Sequence, residues 1–228
     1  MMIFWLTCLV GYPRTSAPEP IKQFLKRRFQ IIKFQIQNPS INLSADGWIM
    51  SNTIRQDGGD NSILIEAGAY LRNCMINING NSNKLHIHTG TDIHDMVLTF
   101  EDDGNIIEIG SGTTVERNVE ICACEGKRVS IGEHCMISHD ISIRTTDSHS
   151  IVNMNGARVN EAKDVIIGNR VWIGCQTLIL KGVSVPDGCI IGARSLVTGG
   201  LRAQQNTIIA GHPAKVVKTD VSWTRKRL

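Results

Sequence analysis

The chain has 228 residues and a formal net charge of +3, with 42% hydrophobic but only 5% aromatic residues. That length allows one sizeable domain with appendages, and the charge is too mild and too dispersed to argue for a nucleic-acid partner. Seven Cys, at 8, 74, 122, 124, 135, 175 and 189, are odd in number and show no framework spacing, which excludes a disulfide scaffold and fits a reducing compartment.

Residues 1–12, MMIFWLTCLVGY, are apolar but too short to span a bilayer as a helix, and they lack the basic start of a signal peptide. Between 21 and 36, Ile21, Phe24, Leu25, Phe29, Ile32 and Ile36 recur at helical spacing with Lys22, Lys26, Arg27 and Lys33 on the rest of the turn. Such a basic amphipathic helix serves as a cap on the following domain, as a packing surface for another subunit, or as a contact with an anionic membrane. Residues 1–40 therefore read as an N-terminal extension, helical and apolar.

From residue 41 the pattern changes. The clearest part runs over 165–203 as VIIGNR, VWIGCQ, TLILKG, VSVPDG, CIIGAR, SLVTGG and LRA, with Ile167, Ile173, Ile179, Val185, Ile191, Val197 and Ala203 at every sixth position. A period of six suits neither a helix nor one continuous strand; it is the signature of a solenoid of short strands and tight corners. Small inward positions such as Cys135 and Cys189 use Cys as a compact hydrophobe.

Upstream, Leu43, Ile65, Ile87, Ile109 and Ile131 open successive coils 22 residues apart, against 18 for three plain hexads. The four extra residues fall after the third hexad each time, near 79–84, 101–105 and 125–128, so these polar insertions should stack along one edge. At the next instance of that corner the gap from Ile143 to Ile167 is 24 residues, which places a single long loop at 144–164. Long loops on a regular scaffold are where functional residues gather. The expected body is thus an all-β prism over 41–218, of three parallel sheets and eight coils, about 35–40 Å long. Its first coil, Leu43–Arg55, matches the repeat poorly, and a short basic tail follows at 219–228.

The stretch Ile107–Lys218, with ISIRTTDSHSI, GNRVWIG and AGHPAK, resembles the hexapeptide-repeat acyltransferases, and within them the sugar and polysaccharide O-acetyltransferases. The resemblance implies a left-handed parallel β-helix, a homotrimer with sites between subunits, and acetyl-CoA as co-substrate. His149 matches the family's catalytic His, apart from an offset of one residue. An imidazole suits acetyl transfer, taking the proton of the attacking hydroxyl and returning it to the leaving thiolate near neutral pH. Asp147 or Glu161 is placed to hold its tautomer. Trp172, outward beside the inward Ile173, matches a residue lining the acceptor channel, or else a subunit contact. Cys175 and Ala193 match positions along the pantetheine arm, Thr198 matches a contact nearer the nucleotide, and Lys215 and Lys218 match cations that meet the coenzyme A phosphates. Two departures touch the adenine end: Gly199 replaces the usual Lys, and 199–206 is about two residues longer than the common pattern.

Competing readings rest on fewer residues. His134 and His139, five apart, resemble the zinc ligands of γ-class carbonic anhydrases, with His86, His88 or His94 as a third, though none sits at that family's spacing. Cys122 and Cys124 are metal ligands by type but lack a paired second motif. A serine or amino-sugar N-acetyltransferase, or a scaffold without catalysis, shares the fold. The favoured reading is a cytoplasmic O-acetyltransferase acting on a saccharide hydroxyl, with no metal expected; contact with the inner membrane face through 21–36 stands as the alternative to a capping or packing helix there.

Overall fold

In the computed structural model, residues 42–228 and Leu25 are described. The apolar stretch 1–12 and, Leu25 apart, the amphipathic helix expected at 21–36 lie outside the described residues. The chain divides into units Met1–Gln37 and Asn38–Leu228, and every described strand belongs to the second.

The repeat folds as its period dictates. Each coil lays down one strand in each of three sheets, as in Arg128–Ile131, Met136–Ile137 and Ile141–Arg144. Two sheets have seven strands and the remaining one has nine, and neighbours within a sheet are parallel except for a terminal hairpin. Alternation along each short strand sends one set of side chains inward, so Ile109, Ile131 and Ile167 stack from coil to coil and are almost fully buried. Cys135 and Cys189 occupy inward positions with no exposure, and burial pushes the Cys135 thiol up to about 11. Corner residues such as Asp140, Gln176 and Arg194 take positive φ, a single left-handed residue that turns the chain without consuming length.

Four details differ from the sequence expectation. The prism has seven full coils, not eight, and measures about 30 Å. Residues 201–207 form no strand, because Ala203 offers little apolar surface where earlier coils place Ile or Val; the chain rejoins only the second sheet through Ile208–Gly211. In the first coil Leu43 pairs with Ile63, and Ala45 with Ile65, because the turn at Asp46–Gly47 is two residues shorter than its copy at 66–69. In the third sheet Leu98 pairs with Ile121 instead of Glu120, a one-residue slip that keeps a carboxylate out of the core.

The expected edge of insertions is present and has an interior of its own. Asn61, Asn83 and Asn105 are at most 1% exposed and stack one per coil. Asn83 N–H donates to Asn61 Oδ1 at 2.8 Å and Asn105 N–H to Asn83 Oδ1 at 2.9 Å, while the Asn83 amide donates to Asp102 O at 3.0 Å. Each side chain thus satisfies a backbone group that no strand reaches. Gly58 and Gly80 take φ of 110° and 128° at the same edge, and a Cβ on either would collide with the carbonyl one coil on. Asn83→Ala, which orphans the Asn105 N–H and takes a donor from the Asp102 carbonyl of the following coil, is expected to cost about 2–3 kcal/mol, read from the urea unfolding midpoint. A loss below a few tenths of a kcal/mol would mean that the ladder contributes nothing net.

Candidate active site

The long loop leaves the prism after Ile141–Arg144 and returns at Val165–Ile167, on the edge where the insertions stack. Its ends close on themselves, with Lys163 N–H donating to Thr145 O at 2.9 Å. Beyond this neck the chain forms a short arm, bridged between Val152 and Arg158 and turned by Asn153–Ala157. Ile151, Val152, Met154 and Val159 stand exposed on the arm.

Side chains from three successive coils fix the neck. Arg158 lays its guanidinium along Glu125, with Nη1 to Oε2 at 2.6 Å and Nη2 to Oε1 at 2.8 Å, and Thr146 donates to the same carboxylate at 2.7 Å. Arg158, with Thr146 assisting, pulls Glu125 down to about 2. On the other side Lys181 Nζ donates to Asp147 Oδ2 at 2.5 Å and to Asn160 O at 2.7 Å. Asn160, buried, joins the halves: its amide donates to Asp147 Oδ2 and to the His149 carbonyl, both at 2.8 Å, and its Oδ1 accepts Ile151 N–H at 2.7 Å. Lys181 first and Asn160 second hold the Asp147 carboxyl below the usual range.

His149 is therefore exposed, with its backbone pinned and its ring turned to solvent. Neither carboxylate expected to orient the ring touches it. Asp147 serves Lys181 and Asn160, because Lys181 reaches the same corner one coil on, and Glu161 lies 3.9 Å from Arg158 on the exposed side. Glu125, Arg158, Asn160 and Lys181 were not singled out from the sequence. The insertion EGKR and the Lys in TLILKG marked this corner, but not these partnerships, which join residues 21 to 34 positions apart.

Trp172 lies on the second sheet, outward and 38% exposed, away from the loop's edge. It is flanked by the basic tail. Trp223 stands 6.3 Å from it, ring to ring, and donates Nε1–H to Arg170 O at 2.7 Å. Arg225 anchors the tail further by donating to Thr114 Oγ1 and Cys135 O, both at 2.8 Å. Cys175 and Ala193 sit on successive coils at the corner between the second and third sheets, joined by Arg194 N–H to Cys175 O at 2.8 Å. Thr198 follows the third sheet, on the loop's edge. Lys215 and Lys218 project from the hairpin of Ile208–Gly211 with Ala214–Lys218, so the AGHPAK motif is the turn that ends the solenoid. Within one chain the expected pantetheine positions and His149 thus occupy opposite edges of the third sheet.

The other sequence candidates separate on the same map. His134 and His139 fall on different corners of one coil, and neither belongs to a group of three metal-capable side chains among the described residues. Cys122 and Cys124 do meet, Sγ to Sγ at 3.3 Å, with Glu101 at 3.5 Å from Cys124. The shared proton and burial push Cys124 far up, as in a packed dithiol.

A parallel β-helix with a long loop at one corner, carrying an exposed His, defines the class of hexapeptide-repeat transferases. No family model matches the chain. It is 38% identical over 93 residues to a polysialic acid O-acetyltransferase of Neisseria meningitidis, covering 40% of this chain and 43% of that relative, so it spans less than half the length of that curated protein. Among solved structures it matches the polysialic acid O-acetyltransferase OatWY at 34% identity and a TM-score of 0.70, over 82% of this chain and 88% of that one. The polySia-specific acetyltransferase NeuO matches at 29% identity and a TM-score of 0.59, over 81% and 83%. The chain belongs to the hexapeptide-repeat acyltransferase family, whose left-handed β-helix it shares, beside the polysaccharide O-acetyltransferases.

Two outcomes follow from the neck. Arg158→Ala should speed thermolysin cleavage within 151–159 by roughly three- to tenfold at neutral pH, since opening is local; an unchanged rate would mean the ion pair does not hold the arm. Because Glu125 is depressed on folding to about 2, its contribution is full above the unfolded value near 4.5 and fades as pH falls toward 2. The difference in thermal midpoint between the parent and Glu125→Gln should accordingly shrink across that window, and a constant gap down to pH 2 would contradict the assignment.

Proposed function

We propose that the protein transfers the acetyl group of acetyl-CoA to a hydroxyl of a saccharide, a surface polysaccharide or its precursor, with His149 as general base. The observation that carries this reading is an exposed imidazole on a loop pinned from three coils, in a chain that superposes on a polysialic acid O-acetyltransferase with a TM-score of 0.70. His149 accepts the proton of the acceptor hydroxyl while its oxygen attacks the thioester carbonyl. When the C–S bond breaks, the imidazolium returns that proton to the thiolate. Asp147, Asn160 and Lys181 act as positioning residues, since they hold the backbone from which the imidazole projects.

The assembly proposed is a homotrimer. Two observations support it: the pantetheine positions Cys175 and Ala193 lie on the edge opposite His149, and the arm exposes four large apolar side chains. A second copy would bring the two edges together and cover the arm. Thr198 then lies nearer the nucleotide, Lys215 and Lys218 meet the phosphates, and Trp172 forms a wall near the acceptor. The proposed location is the cytoplasm, supported by the free thiols among the described residues; contact with the inner membrane face rests on the sequence of 21–36 alone.

A thiol-release assay across saccharide acceptors tests the reaction. His149→Ala should lower turnover by about 10² to 10⁴ while acetyl-CoA binding persists. Near-normal turnover would remove His149 from the mechanism, and release only with amino-sugar nucleotides or free serine would reassign the acceptor. For the assembly, sedimentation should give a trimer for the parent chain and dissociation for Ile151→Asp with Met154→Asp. A stable monomeric parent would defeat the shared site.

A further inference from the structure

The outer face of the first sheet carries a cluster that acetyl transfer does not use. His86 and His88 are two residues apart at the end of one strand and its following corner, so both side chains leave on the same face. Their rings lie 3.7 Å apart, centroid to centroid. Glu66 comes from the coil before and Glu108 from the coil after. Glu66 Oε1 lies 2.8 Å from His86 Nε2 and 3.2 Å from His88 Nδ1. His88 Nε2 lies 3.0 Å from Glu108 Oε1. Thr89 N–H donates to the second Glu66 oxygen at 2.9 Å, which fixes that carboxylate's rotation.

We propose that Glu66, His86 and His88 form a divalent transition-metal site, with Glu108 as the carboxylate that orients His88. Three ligand atoms of suitable chemistry converge there: one carboxylate oxygen and two imidazole nitrogens. Tetrahedral zinc, with bonds of about 2.0–2.1 Å, spaces neighbouring ligand atoms about 3.3–3.4 Å apart. The 3.2 Å spacing is already close, and the 2.8 Å one needs to open by about half an ångström. Side chains 25–33% exposed have that freedom, and they leave room for water as the fourth ligand.

The argument does not rest on convergence alone. A metal-binding imidazole commonly donates its other N–H to a carboxylate, which sets the tautomer. Glu108 Oε1, 3.0 Å from His88 Nε2, is placed to do this for His88 when an ion is bound, which would leave Nδ1 to the metal. Two nitrogen donors disfavour calcium and magnesium and suit zinc or cobalt. An ion there would tie three successive coils together across the early part of the prism, where the coil sequences are least regular. The site stands apart from the transfer reaction and departs from the sequence reading, which expected no metal.

The test uses the full-length, tag-free chain, stripped with chelator and titrated with Zn²⁺ by calorimetry and with Co²⁺ by absorption. One equivalent of Zn²⁺ per chain is expected, and the Co²⁺ spectrum should lack thiolate charge-transfer bands. His86→Ala with His88→Ala should weaken binding at least about 100-fold. Glu108→Gln, a milder change that preserves folding, should weaken it about 10- to 100-fold at unchanged stoichiometry. Cys122→Ser with Cys124→Ser should leave the affinity alone. Failure to bind Zn²⁺, or binding lost with the Cys pair and kept with the His pair, would overturn the assignment and leave the cluster as an ion-pair ladder between coils. Neither outcome bears on His149.

Discussion

The described coils obey one constraint: a residue and its copy one coil later must fit the same place. Strands in a parallel solenoid are too short to be stable alone, and each becomes satisfied only by hydrogen bonding to the strand before and the strand after. Inward positions therefore repeat as ladders of like side chains, and corners repeat as ladders of like hydrogen bonds. Val129, Val165 and Val183 in the interior and Asn61, Asn83 and Asn105 at the edge answer the same requirement, one with apolar surface and the other with amides.

That constraint explains what was legible in the sequence. Identical environments demand similar residues at a fixed interval, so the six-residue period, the three sheets and the corner of the insertions could be read directly. The loop was legible as the one gross break in the interval. The failures came where the interval shifts by a residue or two without changing composition. The short turn at Asp46–Gly47 moves Leu43 to Ile63, and the slip at Arg117–Asn118 moves Leu98 to Ile121. The first leaves no mark in the hydrophobic pattern, since an aliphatic residue is available in either register, whereas the second is marked only by Glu120, which a plain 22-residue interval would set against Leu98.

The candidate site was half legible for a related reason. His149 declared itself by residue type, loop position and motif. Its supporting cast did not, because an Arg, a Glu or a Lys is chemically unremarkable until its partner is known. Arg158 finds Glu125 at a distance of 33 residues, and Trp223 finds Arg170 at 53. Such pairings are products of coil stacking, which brings remote segments side by side only after the fold exists. Asp147 shows the reverse error: proximity in sequence to His149 suggested a hydrogen bond, whereas coil stacking delivers Lys181 to it instead.

The same stacking makes the loop separable from the scaffold. Arg128 N–H, at the corner one coil before the loop's return, donates to Asp164 Oδ1 at 2.9 Å, just as Lys127 N–H donates to Asn105 Oδ1 at 3.1 Å on its other side. The asparagine ladder ends at Lys127, and Asp164 reaches back from the next coil to keep the corner hydrogen-bonded beneath the loop, while Thr145 and Lys163 meet where the chain departs and returns. Residues between them can change length or direction without disturbing a single ladder. What gives the arm a definite pose is the neck alone: Glu125 from the coil before holds one side, and Lys181 from the coil after holds the other. An imidazole mounted between those two anchors takes its position from the rigid prism while standing in solvent. The regular part of the chain thus supplies precision, and the irregular part supplies access.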